Sequence, residues 1–164
     1  MAQELRQDFQ FRDPLTGTTA ELGTEMATTQ AVCLNVRRTD FLQTAMLNTT
    51  NLAYFERAIA YMCQVVEKPH FYVFSDDVAW CEANLKVVGY PLTVVSHRHK
   101  GRKFSDYLQL MSLCRHYIIP NSSFAWWATW LNPRPEQIVV APKNWFSDPT
   151  IDTSDLIPQE WIRL

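Results

Sequence analysis

From residue 31 onward, short apolar runs alternate with longer stretches in which apolar positions recur at helical spacing. Residues 31–36, 71–74, 92–95, 117–119 and 137–141 form the short runs, as strands covered on both faces do. Between the first two, Leu52, Phe55, Ile59, Met62 and Val66 recur every three or four positions and predict a helix over 51–66. Further helices are predicted over 77–87 (Trp80, Ala83, Leu85 and Val87 partly covering one face), 105–114 (Leu108, Met111 and Leu113 inward) and 122–131. Lys68-Pro69, Asn132-Pro133 and Pro142 supply stops. The tail predicts a short helix near 158–162. Residues 1–30 are polar and weakly patterned, with a short helix expected over 18–26. Phe9, Phe11 and Leu15 are suited to docking on a neighbour, and the segment reads as a connector.

Strands alternating with helices predict an α/β domain: a parallel sheet of about five strands with helices on both faces. Such sheets place ligands beyond the carboxyl ends of their strands. Each of the first four runs leads into a polar cluster: Arg37-Arg38-Thr39-Asp40, Ser75-Asp76-Asp77, Ser96-His97-Arg98-His99 and Asn121-Ser122-Ser123. In a parallel sheet these four clusters share one edge. A doubled arginine there suits an anionic ligand, because each guanidinium is a rigid fork of donors matched to phosphate or carboxylate oxygens.

Composition narrows the ligand. The chain has 164 residues, enough for one domain with its own core, and a net charge of -2. That balance gives no support for a general nucleic-acid binder, so any anion site is local. No apolar run approaches the roughly 18–20 residues needed to span a bilayer, and the segment from Met1 has no signal-peptide core. Cys33, Cys63, Cys81 and Cys114 lack CxxC spacing and sit among apolar neighbours, which fits buried free thiols. With only four glycines, no GxGxxG or Walker loop is present. If phosphates are held here, side chains and helix ends must do much of the work.

Each cluster carries a structural reading beside the chemical one. Asn121-Ser122-Ser123 suits a helix N-cap and, compatibly, a diphosphate at the same helix end. Ser75-Asp76-Asp77 suits a helix cap. As a site it faces donors, namely ribose hydroxyls, acceptor hydroxyls or the two arginines, and no metal-ligand cluster accompanies it. Asp106 suits dipole stabilisation at a helix start. It also suits guanine, whose N1–H and N2–H groups can both donate to one carboxylate. The basic segment 97–103 reads as a solvated loop, with contact to phosphate or anionic lipid left open. Trp126, Trp127 and Trp130 fit core packing or a sugar platform.

Asn35-Val36-Arg37-Arg38-Thr39-Asp40-Phe41 resembles the HxRRxD motif of fucosyltransferase family 11, the α-1,2-fucosyltransferases. Phe74-Ser75-Asp76-Asp77, Asp106, the segment from Leu110 to His116, Asn121-Ser122-Ser123-Phe124-Ala125-Trp126-Trp127, and Ala141-Pro142-Lys143-Asn144-Trp145-Phe146 come in that family's order and spacing. The resemblance covers residues 31–146.

It implies a GT-B-like enzyme, with residues 31–164 as its Rossmann-like, GDP-fucose-binding carboxyl-terminal lobe and residues 1–30 as the crossover from a lobe absent here. It implies inverting transfer of L-fucose from GDP-β-L-fucose to a galactose 2-hydroxyl of a glycan, without a bound metal or other cofactor. Arg37 is then the catalytic cation on the β-phosphate, with Asp40 and Asp76 as candidate bases. Asn35 and Asp106 read guanine, and Ser122 and Ser123 hold phosphate oxygens. Arg38 pairs with Asp40 to orient the loop. Ser75, Asp76, Asp77, Asn121 and Phe124 complete the donor site. The implied location is cytoplasmic, peripheral to the inner membrane. Two features depart from the family pattern: Asn35 stands where a histidine is usual, and no GGLGNQMFQ-like segment occurs. A module that binds a GDP-sugar without catalysis, and a different GDP-fucose-dependent transferase, are the alternatives.

Overall fold

The computed structural model describes residues 2–47 and 49–164. In chain order the elements are α1 (Ala2–Asp8), α2 (Gly17–Ala27), β1 (Gln30–Val36), α3 (Leu52–Val65), β2 (Pro69–Ser75), α4 (Val78–Asn84), β3 (Leu92–Val94), α5 (Ser105–Leu113), β4 (His116–Ile118), α6 (Ser123–Leu131), β5 (Val139–Ala141) and β6 (Ile162–Arg163). The six strands form one sheet in the order β3-β2-β1-β4-β5-β6, and every pairing is parallel. Strand order reverses between β1 and β4, which pair Val32 with His116 and Leu34 with Ile118.

The period of two along β1 sorts its side chains between two cores. Ala31 and Cys33 join Tyr72, Phe74, Tyr117 and Ile119 on the face covered by α2, α5 and α6. Val32, Leu34 and Val36 join Phe71, Val73 and Ile118 on the face covered by α3 and α4. Burying each Val, Leu, Ile or Phe among them contributes about 1.5–3 kcal/mol. The helical stripe expected on α3 is real, since Phe55, Ile59, Met62 and Val66 are all buried.

Three local expectations are corrected. The tail makes a sixth strand rather than a helix. Its last residues run alongside β5 with Val140 opposite Ile162, where an open sheet edge offers hydrogen bonds that a very short helix cannot match. The helix expected over 77–87 stops at Asn84, and Leu85 turns inward in an extended conformation. In α5 the deepest positions are Tyr107, Leu110 and Met111, so the buried stripe is rotated from the one expected. Within residues 1–30, α2 buries Met26 and packs on α5 and β1. Leu15 also packs on this core, and Phe9 meets the ring of Trp127 at 5.6 Å. All four cysteines are free, with Cys63 only partly buried. Among the described residues, no helix is long and apolar enough to cross a membrane.

Three histidines are expected to give the fold a pH dependence. Burial pushes His70, His99 and His116 below the ordinary histidine range, and Arg98 and Arg115 add to the effect at His99 and His116. At His99 the geometry shows why. Arg98 Nε donates to His99 Nε2 at 2.9 Å, and Nδ1 meets Thr19 Oγ1 at 3.1 Å, so the ring must be neutral to accept the first bond. A histidine whose pKa is lower folded than unfolded contributes stability above the unfolded value, about 6.5, and loses it as pH falls through the folded value. The urea midpoint is therefore expected to be lower at pH 5 than at pH 7.5, and a midpoint that rises on acidification contradicts this.

Candidate functional site

The carboxyl ends of β1, β2 and β4 enclose a cavity of about 500 Å³. It lies at the point where strand order reverses, the place at which open parallel sheets bind ligands. Asn35, Arg37 and Asp40 line it from the end of β1, Ser75 and Asp76 from β2, and Asn121, Ser122, Ser123 and Phe124 from the start of α6. These are nine of the twelve residues that the sequence singled out. Phe41, Leu47, Lys103, Phe104, Tyr107, Trp145 and Phe146 complete the wall.

The loop after β1 is held by a web of carboxylates. Arg37 Nη2 donates to both oxygens of Asp40, at 2.7 and 2.8 Å, and Arg37 Nε lies 3.6 Å from Asp76 Oδ2. Arg38 faces the other way. Its Nε lies 3.3 Å from Asp77 Oδ2, and its guanidinium stacks over the Trp80 ring at 3.8 Å. The expected Arg38–Asp40 pair is therefore replaced by two pairs, Arg37–Asp40 and Arg38–Asp77. The reason is local: consecutive side chains at the end of a strand point in opposite directions, so only Arg37 turns over the cavity. Asp76 anchors the whole loop. Its carboxylate accepts from the backbone N–H groups of Arg38 (3.0 Å) and Thr39 (3.2 Å) and from the Thr39 hydroxyl. Asp77 caps α4, accepting from Trp80 N at 3.1 Å.

Several polar atoms of the cavity wall are buried without a hydrogen bond. Asn35 donates through Nδ2 to the Phe74 carbonyl at 3.0 Å, and Asn121 Nδ2 to the Leu47 carbonyl at 2.9 Å. Yet Asn35 Oδ1, Asn121 Oδ1 and Arg37 Nε make no hydrogen bond. Buried polar groups are normally satisfied, so unmet acceptors and a donor around one cavity are compatible with a polar ligand there.

The start of α6 adds to this. Ser122 occupies the N-cap position, as expected, but its side chain makes no capping bond, and the helix bonding begins with Trp126 N on the Ser122 carbonyl. The first-turn N–H groups beside Ser123 and Phe124 are left for an anion, which the helix dipole also favours.

Arg38 and Asp77 sit behind the wall rather than on it. Asp106 lines a neighbouring cavity with Arg12, Arg102 and Gly101, and that cavity shares Lys103 with the main one. The intervening turn is strained. Gly101 has φ 65°, while Lys103 and Phe104 have φ 53° and 62°, in the left-handed region that costs a side-chain-bearing residue about 1–2 kcal/mol. A Cβ on Gly101 would lie 2.1 Å from Asp106 Oδ1, so the Asp106 carboxylate presses on that glycine. The Phe104 ring packs edge-on to those of Tyr107 (5.7 Å) and His97 (6.1 Å), and His97 Nε2 meets the Ser75 carbonyl at 2.8 Å. The segment 97–103 is thus not simply a solvated loop, since His99 is buried within it. Trp126, Trp127 and Trp130 do not line the cavity. Trp126 stacks on Trp130 and donates to the Leu156 carbonyl at 2.7 Å. No group of three metal-ligating side chains occurs among the described residues.

An all-parallel sheet with this cavity at its reversal point defines a Rossmann-like domain. The chain belongs to glycosyl transferase family 11, whose family model matches residues 1–164. It is 30% identical over 148 residues to a protein named alpha-1,2-colitosyltransferase from Escherichia coli, covering 88% of this chain and 51% of that one. It is 33% identical over 135 residues to the O-antigen biosynthesis glycosyltransferase WbnK of Escherichia coli, covering 80% and 43%. With the galactoside alpha-(1,2)-fucosyltransferase 1 of Homo sapiens it shares 27% identity over 104 residues, 61% of this chain and 28% of that protein. The chain thus spans at most about half the length of these curated relatives. No solved structure matches it.

Proposed function

We propose that this domain binds the donor in an inverting α-1,2-fucosyltransferase and that GDP-β-L-fucose occupies the cavity at the β1/β4 reversal. The observation that carries the reading is the convergence there of Arg37, the uncapped start of α6 and the unpartnered oxygens of Asn35 and Asn121. The diphosphate rests on the first turn of α6, beside Ser122 and Ser123, with Arg37 at the β-phosphate. Aromatic side chains, including Phe104 and Phe124, offer flat surfaces for the base and sugar.

In the transfer, the bond between fucose C1 and the β-phosphate oxygen breaks and its electron pair leaves with GDP. The acceptor's 2-hydroxyl oxygen bonds to C1 from the opposite face, which turns a β-linked donor into an α-linked product. The hydroxyl proton passes to a base or to solvent. Negative charge grows on the leaving phosphate, so a guanidinium that binds it more tightly in the transition state accelerates the step. Asp40 and Asp76 differ as candidate bases. The Asp76 carboxylate is committed to the loop and only 11% exposed, whereas that of Asp40 is 60% exposed. Asp40 is therefore the better placed.

The domain is read as the donor lobe of a GT-B-like enzyme, with a galactose-containing glycan as acceptor. The relative named for colitosyl transfer supports a second donor sugar at the same site. A competition assay tests the reading: labelled GDP-fucose is displaced by GDP and not by UDP or ADP at equal concentration. Equal displacement by all three contradicts it. Binding with neither transfer nor hydrolysis favours a non-catalytic GDP-sugar module.

A further inference from the structure

We propose that Lys103 is a second phosphate-binding cation of the cavity, carried to its rim by the left-handed Lys103–Phe104 turn. The inference rests on the donor reading above and deepens it. The charged side chains lining the cavity are Arg37, Lys103, Asp40 and Asp76. Arg37 is already met by both Asp40 oxygens and approached by Asp76, so much of its field is spent before any ligand arrives. The Lys103 side chain forms no ion pair or hydrogen bond among the described residues. The four formal charges sum to zero, but both carboxylates lie on Arg37, so Lys103 is the lining cation left without a carboxylate partner and able to turn onto a phosphate.

The backbone gives an independent reason. Two consecutive side-chain-bearing residues with φ 53° and 62° are unusual, and such strain persists only where the surroundings enforce it. Here the enforcers are identifiable. Asp106 fills the space over Gly101, and Asp106 N donates to the Lys100 carbonyl at 3.2 Å. The Phe104 ring is wedged against His97 and Tyr107. The turn brings the Lys103 stem to the junction of the two cavities, lining both. On this account Asp106 serves the donor site by bracing the turn that carries Lys103.

The test is a calorimetric titration of the chain and of Lys103→Asn with GDP and with guanosine. Asparagine tolerates the left-handed backbone and removes the charge, and the side chain is exposed, so the fold is not at risk. GDP affinity is expected to fall roughly tenfold, the loss of one charge-assisted contact, while guanosine affinity is unchanged. Lys103→Arg is expected to restore GDP binding. Unchanged GDP affinity in Lys103→Asn overturns the assignment, as does an equal loss for GDP and guanosine, which marks a purely structural role. If the unsubstituted chain binds no GDP, the donor reading falls, and the Lys103 assignment with it.

Discussion

Arg37→Ala is expected to lower turnover of GDP-fucose, by transfer or hydrolysis, roughly 10²–10³-fold, as loss of a preorganised group at a developing charge does. The reason is positional. Arg37 is the member of the arginine pair that turns over the cavity, and its Nε is buried there without a hydrogen bond. Its present partner, Asp40, is an exposed carboxylate that can exchange Arg37 for water when phosphate arrives. Stability should change little, because a pair this exposed is worth about 0–1 kcal/mol. Initial rates measured beside a thermal melt check both halves. Turnover within a few-fold of the parent removes Arg37 from the chemistry. Arg38→Ala should instead act on stability, through the lost stacking on Trp80 and the lost pair with Asp77.

Asp76→Ala carries the second large effect. It is expected to cost about 1–3 kcal/mol and to weaken GDP binding at least tenfold, since three donors lose their acceptor together. Those donors fix the backbone at Arg38 and Thr39, and that backbone sets where Arg37 points. Asp77→Ala is the control. It removes the cap of α4, worth about 1 kcal/mol, from a residue that does not line the cavity. Stability should fall in both variants and GDP affinity only in the first. A denaturant titration with calorimetry separates them, and parallel loss of binding in both would place the effect in the fold at large.

The sheet was legible in the sequence because its strands are buried on both faces and read as continuous apolar runs. The strand-end clusters were legible because parallel strands put all their carboxyl ends on one edge. β6 was not, because Ile162–Arg163 is two residues long and exists only through its pairing with β5. Side-chain partners were not legible either. That Arg37 meets Asp40, and Arg38 meets Asp77, depends on which way consecutive residues leave β1. Asp106 shows the same limit from another side: its place at a helix start was readable, but its contact with Gly101 comes from a turn with positive φ at Lys103 and Phe104. Nothing in a Lys-Phe pair signals a left-handed turn. Lys103 stood in the sequence only within a basic segment for which phosphate contact was one reading; its place on the cavity wall, and that of Phe104, became visible only in three dimensions, whereas Trp145 and Phe146 already belonged to the block that carried the family resemblance.

In the proposed donor site the β1/β4 cavity holds a nucleoside diphosphate on the first turn of α6. A crystal structure of the chain with GDP tests it most directly. The expected result is a diphosphate within hydrogen-bond reach of the N–H groups of Ser123 and Phe124, with the Arg37 guanidinium turned from Asp40 onto its oxygens. GDP bound elsewhere on the chain, or a diphosphate that leaves the start of α6 and Arg37 untouched, contradicts it.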